Sequence, residues 1–369
     1  MMNKAPRAQT QQTGIEAKTV GTAEHRQAQR RPTQKDVAIQ AGVTQATVSM
    51  ALSRHPSISD ETCDRIRTIA DSVGYRPDPY LTGLSAYRKQ MKAPVFQATI
   101  AWLSNWHEPT SHNWSGVAGL YYEGALKRAH ELGYEIEEHA LLSPDMTPKR
   151  MEQIMLNRNI KGILLPPQSK PGSPMDQFCF DKFSTVTFGY TLASPQFHIV
   201  SLHHHRSVKL LFHELVEKRG YRRPGLCVSM QEDIRTDRIW SAAFWSEQRY
   251  LPSSHHVPIH MDDTWDKDRF MDWFSTHRPD VIISSNKRIH QWLNEAGIAV
   301  PEAVGIAMLT KRADDTFYSG IWQNLRKTGT KALDLLVDMI HRGERGLPDV
   351  RMNVLIDASW VDGNTVRSV

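Results

Sequence analysis

The segment over residues 44–50 combines side chains that can form hydrogen bonds with small or apolar ones, in an arrangement that suits binding and not catalysis. The candidate contacts there are Thr44, Gln45, Ala46, Thr47, Ser49 and Met50. A glutamine amide can bond an adenine edge in two places, hydroxyls can bond phosphate oxygens, and apolar groups can touch a thymine methyl. No GxSxG, HExxH or glycine-rich phosphate loop occurs in the chain, so we expect no enzyme activity and no cofactor.

Two short helices joined by a tight turn are predicted to position these side chains. Thr33 can cap the first helix, with Asp36 as its partner in a capping box, and Gly42 breaks it. Thr44 can cap the second helix. The apolar residues predicted to face inward are Val37, Ala38, Ala41, Val48, Ala51 and Leu52. Such a pair is typical of a helix-turn-helix, whose second helix enters the DNA major groove, although a helical hairpin in a globular core is the alternative.

The residues that follow favour the DNA-binding interpretation. Ser59 can cap a third helix, which carries Ile66, Ile69, Ala70 and Val73 toward the other two. DVAIQAGVTQATVSMAL, SDET and GYRPDPY occur in this order, and together they resemble the LacI family of bacterial transcription regulators. The resemblance implies a helix-turn-helix domain over 32–77 and a homodimer that binds a palindromic double-stranded DNA operator. Thr33 joins the candidate DNA contacts.

Positive charge is concentrated at the same end of the chain. The formal net charge is +5, and residues 1–92 contain 14 Lys and Arg against 8 Asp and Glu, so the remainder is close to neutral. This asymmetry is expected of a surface that contacts phosphate. Residues 1–31 lack hydrophobic periodicity, and we interpret them as a disordered basic tail.

Residues 78–95 are interpreted as a hinge segment. They are polar, with isolated apolar residues that include Tyr80 and Leu84, both candidate DNA contacts. The resemblance implies a helix that folds on DNA and inserts Leu84 as a wedge into the minor groove. A plain interdomain linker is the alternative.

From residue 96 onward, short apolar runs alternate with amphipathic stretches. This alternation predicts βαβ units and parallel sheets covered by helices, and it occurs twice. Helices are expected near 115–132, 147–158, 206–219, 234–249, 266–276 and 288–296. We therefore expect two doubly wound lobes over 96–369, similar to periplasmic binding proteins, with a ligand in the cleft beyond the carboxyl ends of the strands.

The LacI resemblance also implies effector contacts in this cleft. The matching positions are Asn105, Trp106, Arg238, Trp265, Asn286, Lys287, Thr310 and Gln323. Thr310 and Lys287 stand where the family has carboxylates that bind sugars, and His203 replaces a common aspartate. Arg238 and Lys287 would favour an anionic effector, such as a sugar phosphate or sugar acid, over a neutral sugar. A regulator whose cleft binds no ligand, or a small-molecule binding protein, are the alternatives.

Cysteine and histidine usage indicates neither a disulfide framework nor a metal site. Cys63, Cys179 and Cys227 are far apart, with no CxxC pair. Consecutive histidines on a strand point to opposite faces, so we expect His203, His204 and His205 to be solvated. The chain lacks a membrane span and the apolar core of a signal peptide, so we expect a cytoplasmic protein.

Overall fold

The computed structural model describes residues 32–55, 57–76, 96–105, 117–311 and 314–369. These residues form a small three-helix domain followed by two α/β lobes, so the predicted fold class is confirmed. The tail over 1–31 and the whole hinge segment over 78–95 lie outside the described residues. Within the described ranges, none of the helices combines the length and apolar character that a membrane crossing requires.

The N-terminal domain consists of α1 (Gln34–Ala41), α2 (Gln45–Leu52) and α3 (Asp60–Ser72). Its small core contains the side chains predicted to face inward, with Val37, Val48 and Ile66 fully buried. Cys63, which the periodicity did not single out, is buried beside them. The three helices thus share one apolar centre, and their outer faces are mostly polar apart from the exposed Ile39.

The first lobe has a six-stranded parallel sheet in the order β11-β5-β4-β3-β1-β2. Its elements are β1 (Ala98–Ser104), α4 (Val117–Leu132), β2 (Tyr134–Ala140), α5 (Pro148–Asn157), β3 (Gly162–Leu165), β4 (Ser184–Phe188) and β5 (His198–Leu202). The strands β3, β4 and β5 are buried along their whole length, as expected for a sheet covered on both faces.

The second lobe repeats this plan, with strand order β12-β10-β9-β8-β6-β7 and only β12 antiparallel among the pairs described. Its elements are α6 (His204–Phe212), β6 (Pro224–Val228), α7 (Met230–Arg235), α8 (Ile239–Gln248), β7 (His260–Met261), α9 (Lys267–His277), β8 (Val281–Ser284), α10 (Arg288–Glu295), β9 (Gly305–Lys311) and β10 (Ser319–Trp322). A π-helical turn over His213–Lys218 extends α6.

The chain crosses between the lobes three times. It leaves the first lobe after β5, returns after β10 with α11 (Leu325–Arg342) and β11 (Asn353–Ile356), and crosses again to β12 (Ser359–Val361). Helix α11 was not predicted, although it is the longest described helix. It packs in the core of the first lobe against α4, where Ala332, Leu333 and Leu336 are fully buried.

The helix predicted over 234–249 is wrong as a single element. The structure has two helices, α7 and α8, because Asp237 and Arg238 both adopt left-handed backbone conformations with φ of 58°. The buried carboxylate of Asp233 accepts hydrogen bonds from the amide of Ser241 at 3.1 Å and from its hydroxyl at 2.6 Å. Asp233 thereby stabilises the start of α8 from within α7.

The contact between α4 and α11 is close enough to require glycine. A Cβ atom on Gly124 would lie 1.9 Å from the carbonyl oxygen of Arg326, which belongs to backbone and cannot move aside cheaply. We therefore expect Gly124→Ala to lower the free energy of unfolding by about 2 kcal/mol or more. Urea unfolding would measure this, with His130→Ala, at an exposed position of α4, as the control. Equal stability of the two variants would contradict the tight contact.

Candidate DNA interface and effector cleft

The start of α2 is fixed by the cap that the sequence predicts. The Thr44 hydroxyl accepts a hydrogen bond from the Thr47 amide at 3.1 Å, and the two hydroxyls lie 2.9 Å apart. Gly42, with φ of 67°, ends α1 in the left-handed conformation that glycine adopts readily. This local geometry sets the turn between α1 and α2.

The outward face of α2 is available for contact. Gln45, Ala46 and Ser49 are exposed, while Thr47 and Met50 are partly buried. The Met50 sulfur lies 3.9 Å from the Ser57 hydroxyl. The exposed face thus begins at the helix N-terminus, where unpaired amides and the helix dipole favour a phosphate.

Thr33 is held at the start of α1. The Asp36 carboxylate accepts hydrogen bonds from both the Thr33 amide and the Thr33 hydroxyl, each at 2.7 Å. Asp36 thus provides the acidic half of the predicted capping box. Two residues proposed for DNA contact, Tyr80 and Leu84, lie outside the described residues.

Helix α3 contacts the first lobe through charged side chains. Asp60 accepts a hydrogen bond from Arg345 at 2.9 Å, and the Lys161 ammonium lies 3.6 Å away. Arg67 donates to the carbonyl oxygen of His341, near the end of α11, at 3.2 Å. Since these contacts use α3, the outward face of α2 stays exposed.

The predicted effector residues follow strands of the two lobes. Asn105 comes after β1 in the first lobe, while Asn286 and Lys287 follow β8 in the second. Thr310 lies within β9 near its carboxyl end, and Gln323 comes directly after β10. Parallel strands end at one edge of each sheet, and this edge is where such folds bind ligands. Trp106 lies outside the described residues.

The proposed anion site formed by Arg238 and Lys287 is not supported by the geometry. Arg238 is exposed at the break before α8. Lys287 forms an ion pair with Asp315 and lies 5.0 Å from the ring centroid of Tyr318. Burial opposes the ionisation of Asp315, but the hydrogen bond from Lys287 holds the Asp315 pKa below its usual range. The Lys287 charge is therefore already compensated.

Three other residues predicted to contact an effector are Asn286, Trp265 and Thr310, and the first two have contacts within the second lobe itself. The Asn286 carbonyl Oδ1 accepts from the Arg288 amide at 2.9 Å, which stabilises the start of α10. Trp265 is partly buried and packs against the apolar core of the second lobe, with φ of 52°. Thr310 is partly buried.

Five side chains that follow strands or lie in the first turn of helices in the two lobes each bury one polar atom for which the described residues supply no hydrogen-bond partner. These atoms are Asn105 Oδ1, Gln168 Oε1, His204 Nδ1, Trp240 Nε1 and Gln323 Nε2. Gln168 follows β3, His204 begins α6 and Trp240 lies in the first turn of α8. A buried polar group without a partner costs about 1 to 3 kcal/mol, so this set indicates a place for a polar ligand or for water.

Sequence reasoning missed Gln168 and Trp240, because neither stands in a recognisable motif, and it was wrong about His204. His204 is buried with 8% of its surface exposed, and its ring lies 5.7 Å from that of Trp240, edge to face. Burial lowers the pKa of His204 to about 4, and the neighbouring His203 adds to this. His204 is therefore a neutral hydrogen-bonding group near neutral pH. Within the described ranges no group of acidic, histidine or cysteine side chains could hold a metal ion.

Arg235, also missed, joins the two lobes directly. Its guanidinium donates hydrogen bonds to the carbonyl oxygens of Ser169 at 3.1 Å and Gln168 at 3.2 Å. Burial lowers the pKa of Arg235, and the nearby Glu232 carboxylate opposes this shift. Nothing in the spacing of residues 230–235 indicates a partner in the other lobe.

Comparison with known families gives two matches in this chain. Residues 33–78 match the family of bacterial regulatory proteins called the lacI family. Residues 213–366 match the periplasmic binding protein-like domain. The first match covers the three-helix domain, and the second covers most of the second lobe together with α11 and β11.

Individual relatives agree with these matches. Over 107 residues the chain is 35% identical to the HTH-type transcriptional regulator GalR of Streptococcus thermophilus, a match that covers 27% of this chain and 28% of GalR. The chain is 17% identical to the transcriptional regulator CelR in its cellobiose complex, with a TM-score of 0.51 over 91% of this chain and 100% of CelR. The lac repressor dimer bound to operator and the anti-inducer ONPF has 14% identity and a TM-score of 0.51, over 92% of this chain and 100% of that chain. These structural matches support the fold alone.

The low pKa of His204 predicts sensitivity to acid. Unfolded histidine takes up its proton near pH 6.5, whereas folded His204 stays neutral until about pH 4. Between these values the unfolded chain binds more protons, so the free energy of unfolding should fall as the pH is lowered. Between pH 6.5 and 4 we expect the free energy of unfolding of His204→Gln to decrease by up to about 3 kcal/mol less than that of the wild-type chain.

Urea unfolding at successive pH values would measure the difference between the two proteins. The exposed neighbour provides the control, since His205→Gln should leave the fall between pH 6.5 and 4 in place. Parallel profiles for the wild-type chain and His204→Gln would contradict the assignment.

Proposed function

We propose that this chain, which belongs to the LacI family, regulates transcription by binding a palindromic operator as a homodimer, with α2 of each subunit in the major groove. The observation that carries the proposal is the exposed face of α2, which begins at a capped helix start and includes Gln45 and Ser49. Binding across a promoter would exclude polymerase, so we propose repression. Because the target is the chromosome, we place this action in the cytoplasm.

Different side chains of α2 and its neighbours would contact the bases and the phosphates. Gln45 is the proposed direct reader, because its amide can donate to and accept from one adenine edge. Met50 and Ala46 would supply apolar contact with a thymine methyl. The capped helix starts at Thr33 and Thr44 would contact phosphate and set the register on the duplex.

We also propose a role for the dimer and a role for the hinge segment in DNA binding. One α2 reads only a few base pairs, so a second copy related by twofold symmetry is needed for a specific site. The segment that contains Tyr80 and Leu84 would follow the minor groove between the half-sites, with Leu84 as an apolar wedge.

We expect Gln45→Ala to lose discrimination worth about 1 to 3 kcal/mol at one position of each half-site. A binding selection on randomised duplexes would measure the preference at every position. Gln40→Ala, at an exposed position of α1, is the matched control and should retain the wild-type profile. An unchanged profile for Gln45→Ala would refute the role of Gln45 as reader.

The proposed effector is an uncharged compound that both donates and accepts hydrogen bonds. Trp240 Nε1 and Gln323 Nε2 are donors, Gln168 Oε1 is an acceptor, and His204 is neutral, so these groups favour hydroxyls over an anion. The anionic effector expected from the sequence is disfavoured, because Arg238 is exposed and Lys287 is already paired with Asp315. CelR is described with cellobiose, which is a compound of this kind.

A thermal unfolding screen would test the effector class. Cellobiose and a panel of neutral mono- and disaccharides should include compounds that raise the unfolding midpoint, because ligand bound only to the native state stabilises it. Gln323→Leu should abolish the shift by removing a donor, whereas Arg238→Ala should preserve it.

Phosphorylated counterparts of the same sugars complete the screen. A midpoint raised only by the phosphorylated compounds would contradict the proposed class. If no compound of either kind raises the midpoint, the alternative of a cleft without a ligand is favoured.

A further inference from the structure

Arg235 and the turn after β3 form a direct connection between the lobes. Arg235 is the last residue of α7 in the second lobe, and its two terminal nitrogens each donate to a different carbonyl oxygen of the first lobe. The side chain of Arg235 thus connects two bodies that are also joined by the three chain crossings.

The acceptors in the first lobe are held in place without the help of Arg235. The Gln168 amide donates to the Thr191 hydroxyl at 2.7 Å, and the Gln168 side-chain Nε2 donates to the Pro166 carbonyl at 2.9 Å. Pro166 and Pro167 each fix one backbone dihedral of the turn. Gln168 is 1% exposed. The two carbonyl oxygens therefore form a preorganised socket, which consists of the Gln168 and Ser169 carbonyls.

The donor side is equally constrained. Helix α7 begins with a capping box in which the Ser229 hydroxyl accepts from the Glu232 amide at 3.1 Å. The Glu232 carboxylate also accepts from the Ser285 hydroxyl at 2.6 Å, which ties α7 to the residues after β8. At the other end, Asp233 joins α7 to α8 through Ser241. Because both sides are fixed, the Arg235 contact requires the two lobes to lie close together at this point.

We propose that Arg235 is an interlobe latch, which holds the two lobes together across the cleft by binding the socket of the Gln168 and Ser169 carbonyls. A guanidinium suits this role, since its planar fork can donate to two acceptors at once and its charge strengthens both bonds. A lysine would offer a point charge and no fork. The latch does not depend on the proposed DNA target or effector, and it concerns the conformation of the ligand-free chain.

The distance between the lobes can be measured in the full chain. Cys179 is an exposed cysteine of the first lobe, whereas Cys63 and Cys227 are buried. Tyr250, which is 85% exposed after α8, is a site for a second label in the second lobe through Tyr250→Cys. Spin labels at the two sites, with the labelled chain diluted into unlabelled chain, would report the separation within one subunit.

We expect a narrow distance distribution for the ligand-free chain and a shift to longer, broader distances for Arg235→Ala. The ratio of open to closed molecules should rise at least about tenfold, and Arg235→Lys should give an intermediate value. Arg235→Gln, which keeps much of the side-chain volume, should open the cleft in the same way. The unfolding midpoint of each variant would establish that the measured chains are folded.

Arg238→Ala is the matched control, since Arg238 is exposed three residues away and should leave the distribution unchanged. An unchanged distribution for Arg235→Ala and Arg235→Gln would overturn the latch, as would an equal opening by Arg238→Ala. The measurement needs no DNA and no effector. A failure of the latch is therefore distinguishable from a failure of the proposed function.

Discussion

The rest of the structure depends on the direction of parallel strands. Parallel strands end at the same edge of a sheet, and the chain crosses three times between one parallel sheet and one that is parallel except for β12. Polar residues that follow parallel strands, such as Gln168 and Gln323, thereby lie at the carboxyl edges of the sheets. Gln168, His204, Trp240 and Gln323 each bury a polar atom for which the described residues supply no hydrogen-bond partner. A fold of this kind creates a binding cleft from topology, while the side chains decide what the cleft accepts.

The helices and most of the core of the N-terminal domain could be predicted from the sequence, because their determinants are local. The caps at Thr44 and Ser59 and the left-handed turn at Gly42 each involve residues within about one helical turn. The inward face was predictable for the same reason, since helical periodicity alone identifies Val37 and Val48. Where the sequence settles both the turn and the caps, the face that remains exposed follows without knowledge of distant contacts.

The effector end was less predictable, because its contacts join residues far apart in the chain. Positional resemblance selected Arg238, whereas the arginine that reaches the other lobe is Arg235, three residues earlier. The difference arises from the left-handed break at Asp237 and Arg238, which a helical pattern over this region conceals. His204 was misjudged for a related reason, since its burial against Trp240 depends on α8 folding back over α6.

The central claim is that two copies of the chain read a twofold symmetric DNA site through α2. Selection of binding sites from a random duplex library by the full-length chain tests it most directly. The account predicts an enriched motif with two inverted half-sites at a fixed spacing, set by the distance between the two copies of α2. Enrichment of a single unpaired half-site, or of no sequence at all, would contradict it.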